Sequence, residues 1–191
     1  MKKGLLVTYE RTNKALMSVQ NELYIIGLWN EGSLLTNVEV IWYPLAHLKM
    51  YDVEGIFFHG TTFFDRAMGF KTGKIYIPSV VIPNIIWQES HSLKDVIRHE
   101  YAHAFEHCYP DLISNSKEFE KIFGGNYYYY EPSQMESEAY ISNYAKTMPM
   151  EDFAETFMVF VRKQGVLPTK YSNVKLKRKW EFISKIIKQV N

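Results

Sequence analysis

The chain has 191 residues, of which 47% are hydrophobic and 23% charged, a composition typical of a folded globular domain. Its formal net charge of +1 excludes the strong basic field of many nucleic-acid-binding proteins, so we expect no nucleic-acid partner. Cys108 is the single cysteine, which excludes an intrachain disulfide and a cysteine-based zinc knuckle.

The sequence has no apolar run of transmembrane length, and we expect no membrane partner. The apolar run at residues 5–7 is too short to be the hydrophobic region of a secretory signal. We therefore expect the chain as it stands in the cytoplasm, or outside the cell if a targeting segment is missing from it.

The first half of the chain predicts one amphipathic helix followed by short strands. Apolar residues recur at helical spacing over residues 12–28, and this helix should stop near Gly27. Residues 60–73, bounded by glycines, are predicted to form a loop. Strands rich in β-branched and aromatic residues are predicted at 38–43, 55–58 and 74–77, and residues 80–82 extend the third strand or form another.

From Ser92 onward the pattern is helical. Ser92 is a favourable N-cap with Asp95 three residues later, which predicts a helix to about Cys108, and Pro110 prevents its continuation. Further helices are predicted at 115–123, 133–146, 150–164 and 173–190. Because the strands come first and the helices follow, the sequence indicates an α+β fold. We expect a single domain, with a sheet-bearing N-terminal part (1–110) and a mainly helical C-terminal part (111–191).

An H-E-x-x-H motif lies inside the helix predicted after Ser92. It reads His99-Glu100-Tyr101-Ala102-His103. Because residues four apart share one face of a helix, both imidazoles can reach one tetrahedral Zn²⁺, with Glu100 placed to accept a proton from water at the metal. The alternative is a helix whose histidines are ordinary core or surface residues.

A catalytic zinc site needs a third protein ligand. His107 continues the four-residue spacing, but it lies about 12 Å along the helix axis from His99, too far to share one ion. We therefore expect His107 to be a cap or a surface residue. Glu151 is the better candidate, and Glu155 on the same face is suited to accept the free N–H of a ligand histidine. The alternative is a solvated acidic first turn, which the helix dipole would also favour.

The segment 91–162 resembles the catalytic core of gluzincin metallopeptidases, above all anthrax lethal factor and the bacterial Pro-Pro endopeptidases. In that group the third ligand is the first glutamate of a segment similar to E-x-F-A-E-x-F, here residues 151–157. A tyrosine seven residues before that ligand assists catalysis, and Tyr144 holds this position here. Residues 115–119 and 180–183 are also similar to lethal factor segments, while residues 1–90 carry no matching motif.

The resemblance implies a zincin-like fold with the zinc cleft between the two parts of the chain. It implies a zinc-dependent endopeptidase whose cofactor, Zn²⁺, is held by His99, His103 and Glu151. Glu100 would act as the general base and Tyr144 as the hydrogen-bond donor to the oxyanion. The substrate would be a peptide or protein, and we expect a monomer.

Two other functions stay open at this stage. One is a catalytically silent binding or toxin-scaffold domain that keeps the fold, and the other is a cytoplasmic protease that cleaves a regulator.

Two further features each have two interpretations. Residues 74–77 form either a sheet edge that pairs with substrate or an interior strand. Residues 127–130, a run of tyrosines, form either a substrate-facing loop or ordinary surface packing.

Overall fold

The structure, a computed structural model, describes residues 5–43, 55–81, 92–128, 139–171 and 173–191. Within these ranges the strands are Leu5–Leu6 (β1), Val40–Tyr43 (β2), Ile56–Phe57 (β3), Ile75–Pro78 (β4) and Val80–Val81 (β5). The α-helices are Tyr9–Ile25 (α1), Phe63–Ala67 (α2), Leu93–Cys108 (α3), Lys117–Phe123 (α4), Pro149–Arg162 (α5) and Val174–Gln189 (α6). The predicted α+β class is confirmed, and most of the regular structure is helical. None of the helices in these ranges combines the length and hydrophobicity needed to cross a bilayer.

In the part of the chain that the structure describes, the main sheet has three strands, in the order β2-β4-β3. β2 runs parallel to β4, with Val40 opposite Ile75, whereas β3 runs antiparallel to it, with Ile56 opposite Tyr76. The strand predicted at 74–77 is therefore the central one, and the interpretation of it as a sheet edge is wrong. All four residues of β4 are buried, as expected of a strand with neighbours on both sides.

α3 begins and ends where the sequence predicts. The Ser92 hydroxyl accepts a hydrogen bond from the Asp95 N–H at 3.2 Å, and the helix ends at Cys108 before Pro110 opens a 3₁₀ turn. Every residue from 95 to 106 is buried, because α3 packs against α1, α5 and the sheet. His107 is exposed near its end, as predicted for a surface residue.

Two sequence predictions fail for local reasons. Residues 60–73 contain α2, because the Thr62 hydroxyl and the Asp65 carboxylate each accept the other's backbone N–H in a capping box. In the helix predicted at 133–146, residues 133–138 lie outside the described residues, and the rest forms only a 3₁₀ turn at Tyr144–Lys146. There the Ser142 hydroxyl accepts the Ala145 N–H, and such side-chain hydrogen bonds compete with a continuous helix.

A buried ion network fixes α3 against its neighbours. Arg98 on α3 donates to both carboxylate oxygens of Glu22 on α1, at 2.7 and 2.8 Å, and to Asp95 at 2.6 Å. Arg162, the last residue of α5, also donates to Asp95, at 3.2 Å. Because buried charges are costly without such partners, this network restricts rotation of α3 about its axis. The face that carries His99 is thereby held toward α5.

α5 is buried along residues 151–161, although three of its residues are acidic. A buried carboxylate needs a counter-charge, a set of hydrogen-bond donors or a metal. Asp152 obtains the first from α6, where Lys179 donates to Asp152 at 2.5 Å and to the carbonyl oxygen of Ala139 at 2.6 Å. Glu151 and Glu155 point instead toward α3, where the candidate site lies.

Candidate metal centre

Two helices bring together the three groups that the sequence predicts as metal ligands. His99 and His103 lie on successive turns of α3, with ring centroids 5.0 Å apart, and Glu151 comes from the first turn of α5. All three are buried, and one ligand atom from each lies within 4.8 Å of the other two. Among the described residues, no other three His, Cys, Asp or Glu side chains converge in this way.

The spacing of the three atoms suits a tetrahedral ion. The Nε2 atoms of His99 and His103 are 3.2 Å apart, and the Oε2 atom of Glu151 lies 3.1 Å from the first and 3.8 Å from the second. Ligand atoms bonded at ~2.0–2.1 Å with tetrahedral angles are ~3.3–3.4 Å apart. The three side chains can therefore share one ion and leave its fourth position open.

The hydrogen bonding of His99 also favours a cation at this point. Its Nδ1 lies 2.9 Å from Glu155 Oε1 and its Nε2 lies 3.1 Å from Glu151 Oε2, so both ring nitrogens face carboxylate oxygens. That oxygen is buried, and the Nε2 atoms of His99 and His103 lie 3.1 and 3.8 Å from it. Burial lowers the pKa of His99, but its hydrogen bonds with Glu151 and Glu155 outweigh burial and raise the pKa well above the usual value. The point between these atoms therefore favours positive charge, and an ion there would also satisfy His103.

His103 has a different partner, which the sequence did not reveal. Its Nδ1 lies 3.1 Å from the hydroxyl of Tyr127, a fully buried residue in the turn after α4. Burial lowers the pKa of His103 to about 3, so the ring is neutral and able to ligate a metal. The sequence predicted residues 127–130 either as a substrate-facing aromatic loop or as surface packing. Tyr127 is fully buried and fits neither interpretation, whereas Tyr128 is 51% exposed. Residues 129 and 130 of that run lie outside the described residues.

Glu100 is buried beside the three ligand atoms. Burial raises the pKa of this carboxyl to about 7, while the positive charge favoured at His99 acts in the opposite direction. The backbone N–H of Phe57, in β3, donates a hydrogen bond to Glu100. A carboxyl group with a pKa near neutrality can both accept and return a proton.

Tyr144 packs against His99. Its ring stacks on the imidazole with a centroid distance of 5.7 Å and an interplanar angle of 27°, and its hydroxyl hydrogen-bonds with Glu151. Burial raises the pKa of Tyr144, so the phenol keeps its proton at neutral pH. The 3₁₀ turn at Tyr144–Lys146, which leads into α5, brings this residue next to the three converging atoms.

A second polar cluster lies one turn further along α3. Glu106 is 0% exposed, and both of its carboxylate oxygens accept hydrogen bonds from the Tyr128 hydroxyl, at 2.9 and 3.0 Å. His59, which follows β3, places its Nδ1 3.3 Å from the same carboxylate, and its ring centroid is 5.7 Å from that of His103. No spacing rule in the sequence connects these residues to the H-E-x-x-H motif.

Comparison with known proteins gives one match. Residues 89–183 match a family model described as "Putative zinc-binding metallo-peptidase". The matched segment contains both histidines, Glu100, Tyr144 and Glu151. A search of curated proteins and a search of solved structures returned no match.

The family match and the buried cluster together confirm zinc as the predicted cofactor. They also support a zinc metallopeptidase, and a peptidase acts on a peptide or protein substrate.

Proposed function

We propose that the protein is a zinc-dependent endopeptidase of the gluzincin type. The observation that carries this proposal is the convergence of His99, His103 and Glu151 on one point, with the buried carboxylate of Glu100 beside it. Three ligands with an open fourth position are typical of catalytic zinc sites, whereas structural sites use four protein ligands. The family match over residues 89–183 supports the peptidase class.

The roles of the residues follow from their surroundings. Zn²⁺ held by these three ligands would polarise a peptide carbonyl and make a water more acidic. Glu100 then accepts the proton of the attacking water and delivers it to the leaving amine. Burial supports this role, because it holds the pKa of Glu100 at about 7. Glu155 keeps its hydrogen bond to His99 Nδ1 and so fixes the direction of the ligand lone pair.

Tyr144 is proposed as the donor to the oxyanion. Its hydroxyl already hydrogen-bonds with Glu151, so it lies at the edge of the reaction centre and retains its proton. As negative charge develops on the carbonyl oxygen of the scissile bond, this O–H can donate to it. A donor that acts mainly in the transition state raises kcat rather than the affinity for substrate.

We further propose a zincin-like cleft with β3 along one wall. β3 pairs with β4 on one side, and on the other side its Phe57 N–H points at Glu100. Among the described residues no strand pairs with that outer side. An extended substrate lying along it would pass the general base. This assigns to β3 the substrate-pairing role that the sequence had offered for residues 74–77.

The deciding experiment combines metal analysis with a peptide-library cleavage screen on the purified protein. We expect one zinc per chain and cleavage within peptides, both lost on treatment with a chelator and restored by Zn²⁺. The matched control is Glu100→Gln, which should bind zinc equally well and lose nearly all cleavage. Stoichiometric zinc with no cleavage of any peptide would favour the silent binding domain, and absence of zinc would overturn the proposal.

A further inference from the structure

We propose that Tyr127 and Tyr128 form a clamp that positions His103 for metal binding. Tyr127 contacts the imidazole, and Tyr128 anchors Tyr127 to the same helix one turn away. The inference rests on the proposed role of His103 as a zinc ligand. Both tyrosines are positioning residues, because their hydroxyls contact His103 Nδ1 and the Glu106 carboxylate rather than the three converging ligand atoms.

The first point of the clamp is the contact between Tyr127 and His103. A ligand imidazole that binds through Nε2 must carry its proton on Nδ1, and an acceptor beside Nδ1 selects that tautomer. The Tyr127 hydroxyl oxygen lies 3.1 Å from His103 Nδ1 and can be this acceptor.

Tyr127 is held rigidly by aromatic packing. Its side chain is fully buried, with ring centroids 5.4 Å from Phe119 and 6.2 Å from Phe153. These contacts fix the plane of the ring, but a backbone shift of the turn after α4 would still withdraw the hydroxyl from His103. A second anchor is needed to prevent that shift.

Tyr128 supplies the second anchor. Its side chain is 51% exposed, yet its hydroxyl reaches back to Glu106 on α3 and contacts both carboxylate oxygens, at 2.9 and 3.0 Å. Although burial acts to raise the pKa of Glu106, hydrogen bonds from His59, Ser114 and Tyr128 hold it below its usual value. The anchor is therefore a hydrogen bond to a buried anion, which is stronger than one between neutral groups.

The backbone geometry explains why two adjacent tyrosines suit this task. His103 and Glu106 are three residues apart on α3, and side chains at that spacing are neighbours on a helix surface. α4 ends at Gly124, whose φ of 82° lies in the left-handed region, and the chain then turns back toward α3. Tyr127 and Tyr128 thus engage two neighbouring positions of one helix. The clamp fixes the turn after α4 relative to the site.

The test is the zinc dissociation constant, measured by competition with a chelator in the full-length chain. Tyr127→Phe removes only the hydroxyl, and we expect affinity for Zn²⁺ to fall about 10- to 100-fold, the usual effect of losing a hydrogen-bond partner of a ligand. Tyr128→Phe should cause a smaller loss, although its side chain touches no ligand. Tyr24→Phe, at an exposed position on α1, is the matched control and should bind zinc as the unmodified protein does.

The double variant Tyr127→Phe/Tyr128→Phe makes the test specific. If Tyr128 acts through Tyr127, the double variant loses no more affinity than Tyr127→Phe alone. If the fold-losses in zinc affinity of the two single variants multiply in the double variant, Tyr128 acts independently of Tyr127. If Tyr127→Phe keeps full zinc affinity, the contact with His103 does not position the imidazole. Either result overturns the clamp. Circular dichroism of the chelator-treated variants separates these outcomes from loss of folding.

The clamp and the proposed function fail in different ways. If the unmodified protein binds one zinc and cleaves peptides while Tyr127→Phe keeps full zinc affinity, only the clamp is wrong. If the unmodified protein binds no zinc, both proposals are overturned.

Discussion

The surroundings of His99 and His103 differ sharply, although the two residues lie one turn apart on α3. His99 is placed between two carboxylates, Glu151 and Glu155, which raise its pKa against the effect of burial. His103 contacts a neutral phenol, and burial lowers its pKa to about 3. In this site, α5 places negative charge beside the His99 imidazole, whereas the turn after α4 only orients the His103 imidazole. Charge and orientation are therefore separable contributions, and substitutions can test them one at a time.

The largest expected effect is loss of the metal itself. His103→Ala removes one of the three converging atoms and Glu151→Gln replaces the carboxylate with a neutral amide, so stoichiometric zinc should be lost in both variants. Elemental analysis of dialysed protein is the measurement. Full zinc in Glu151→Gln together with zinc loss in Glu155→Gln would mean that the ligand and its neighbour on α5 have exchanged roles.

Glu100→Gln should separate metal binding from turnover. It removes the general base and no ligand, so zinc content should stay at one per chain. kcat should fall about 10²- to 10⁴-fold, the usual contribution of a general acid–base group. Steady-state kinetics on a cleaved peptide is the measurement, and a loss below about tenfold would show that Glu100 is not the base.

Tyr144→Phe tests the proposed oxyanion donor, whose ring stacks on His99. It deletes one hydroxyl and little volume, so zinc content should be unchanged. We expect kcat to fall about 10²-fold with little change in KM, as when one oxyanion donor is removed. A raised KM with intact kcat would make Tyr144 a substrate-binding residue. No change in either would leave it as a packing residue stacked on His99.

Measuring Glu155→Gln beside Tyr127→Phe tests most directly whether charge at His99 and orientation at His103 are separate contributions. Glutamine keeps an acceptor oxygen near His99 Nδ1 and removes only the charge, whereas phenylalanine removes the acceptor at His103. If charge contributes beyond orientation, Glu155→Gln should weaken zinc binding, within the about 10- to 100-fold range known for such partners. Chelator competition at one fixed pH measures both variants. Unchanged affinity in Glu155→Gln would show that only the acceptor at His99 matters.

The sequence predicted the parts of the site that local rules govern. The N-cap at Ser92 and the four-residue spacing of the histidines depend only on helix geometry, so α3 and its metal-facing surface could be predicted without a structure. The carboxylates of α5 could also be predicted as a pair, because Glu151 and Glu155 share a face.

Residues that reach the site through tertiary structure could not be predicted in the same way. Tyr127 lies 24 positions from His103, and a run of tyrosines does not show which ring turns inward. The family resemblance identified Tyr144, but the helix predicted around it is wrong. The Ser142 hydroxyl accepts the Ala145 N–H, and the chain forms a 3₁₀ turn at Tyr144–Lys146 instead. β3 has only two residues, too few for alternation to show which strand lies at the edge.

The ion pair between Lys179 and Asp152 links the reaction centre to the order in which the chain is made. Asp152 directly follows Glu151, and it is fully buried with its counter-charge supplied by the last helix of the chain. A ribosome delivers α5 before α6, and until Lys179 has emerged, docking of α5 would bury an unpaired carboxylate. Pairing with Lys179 therefore favours docking of the helix turn that carries Glu151, the proposed third ligand, once α6 is present.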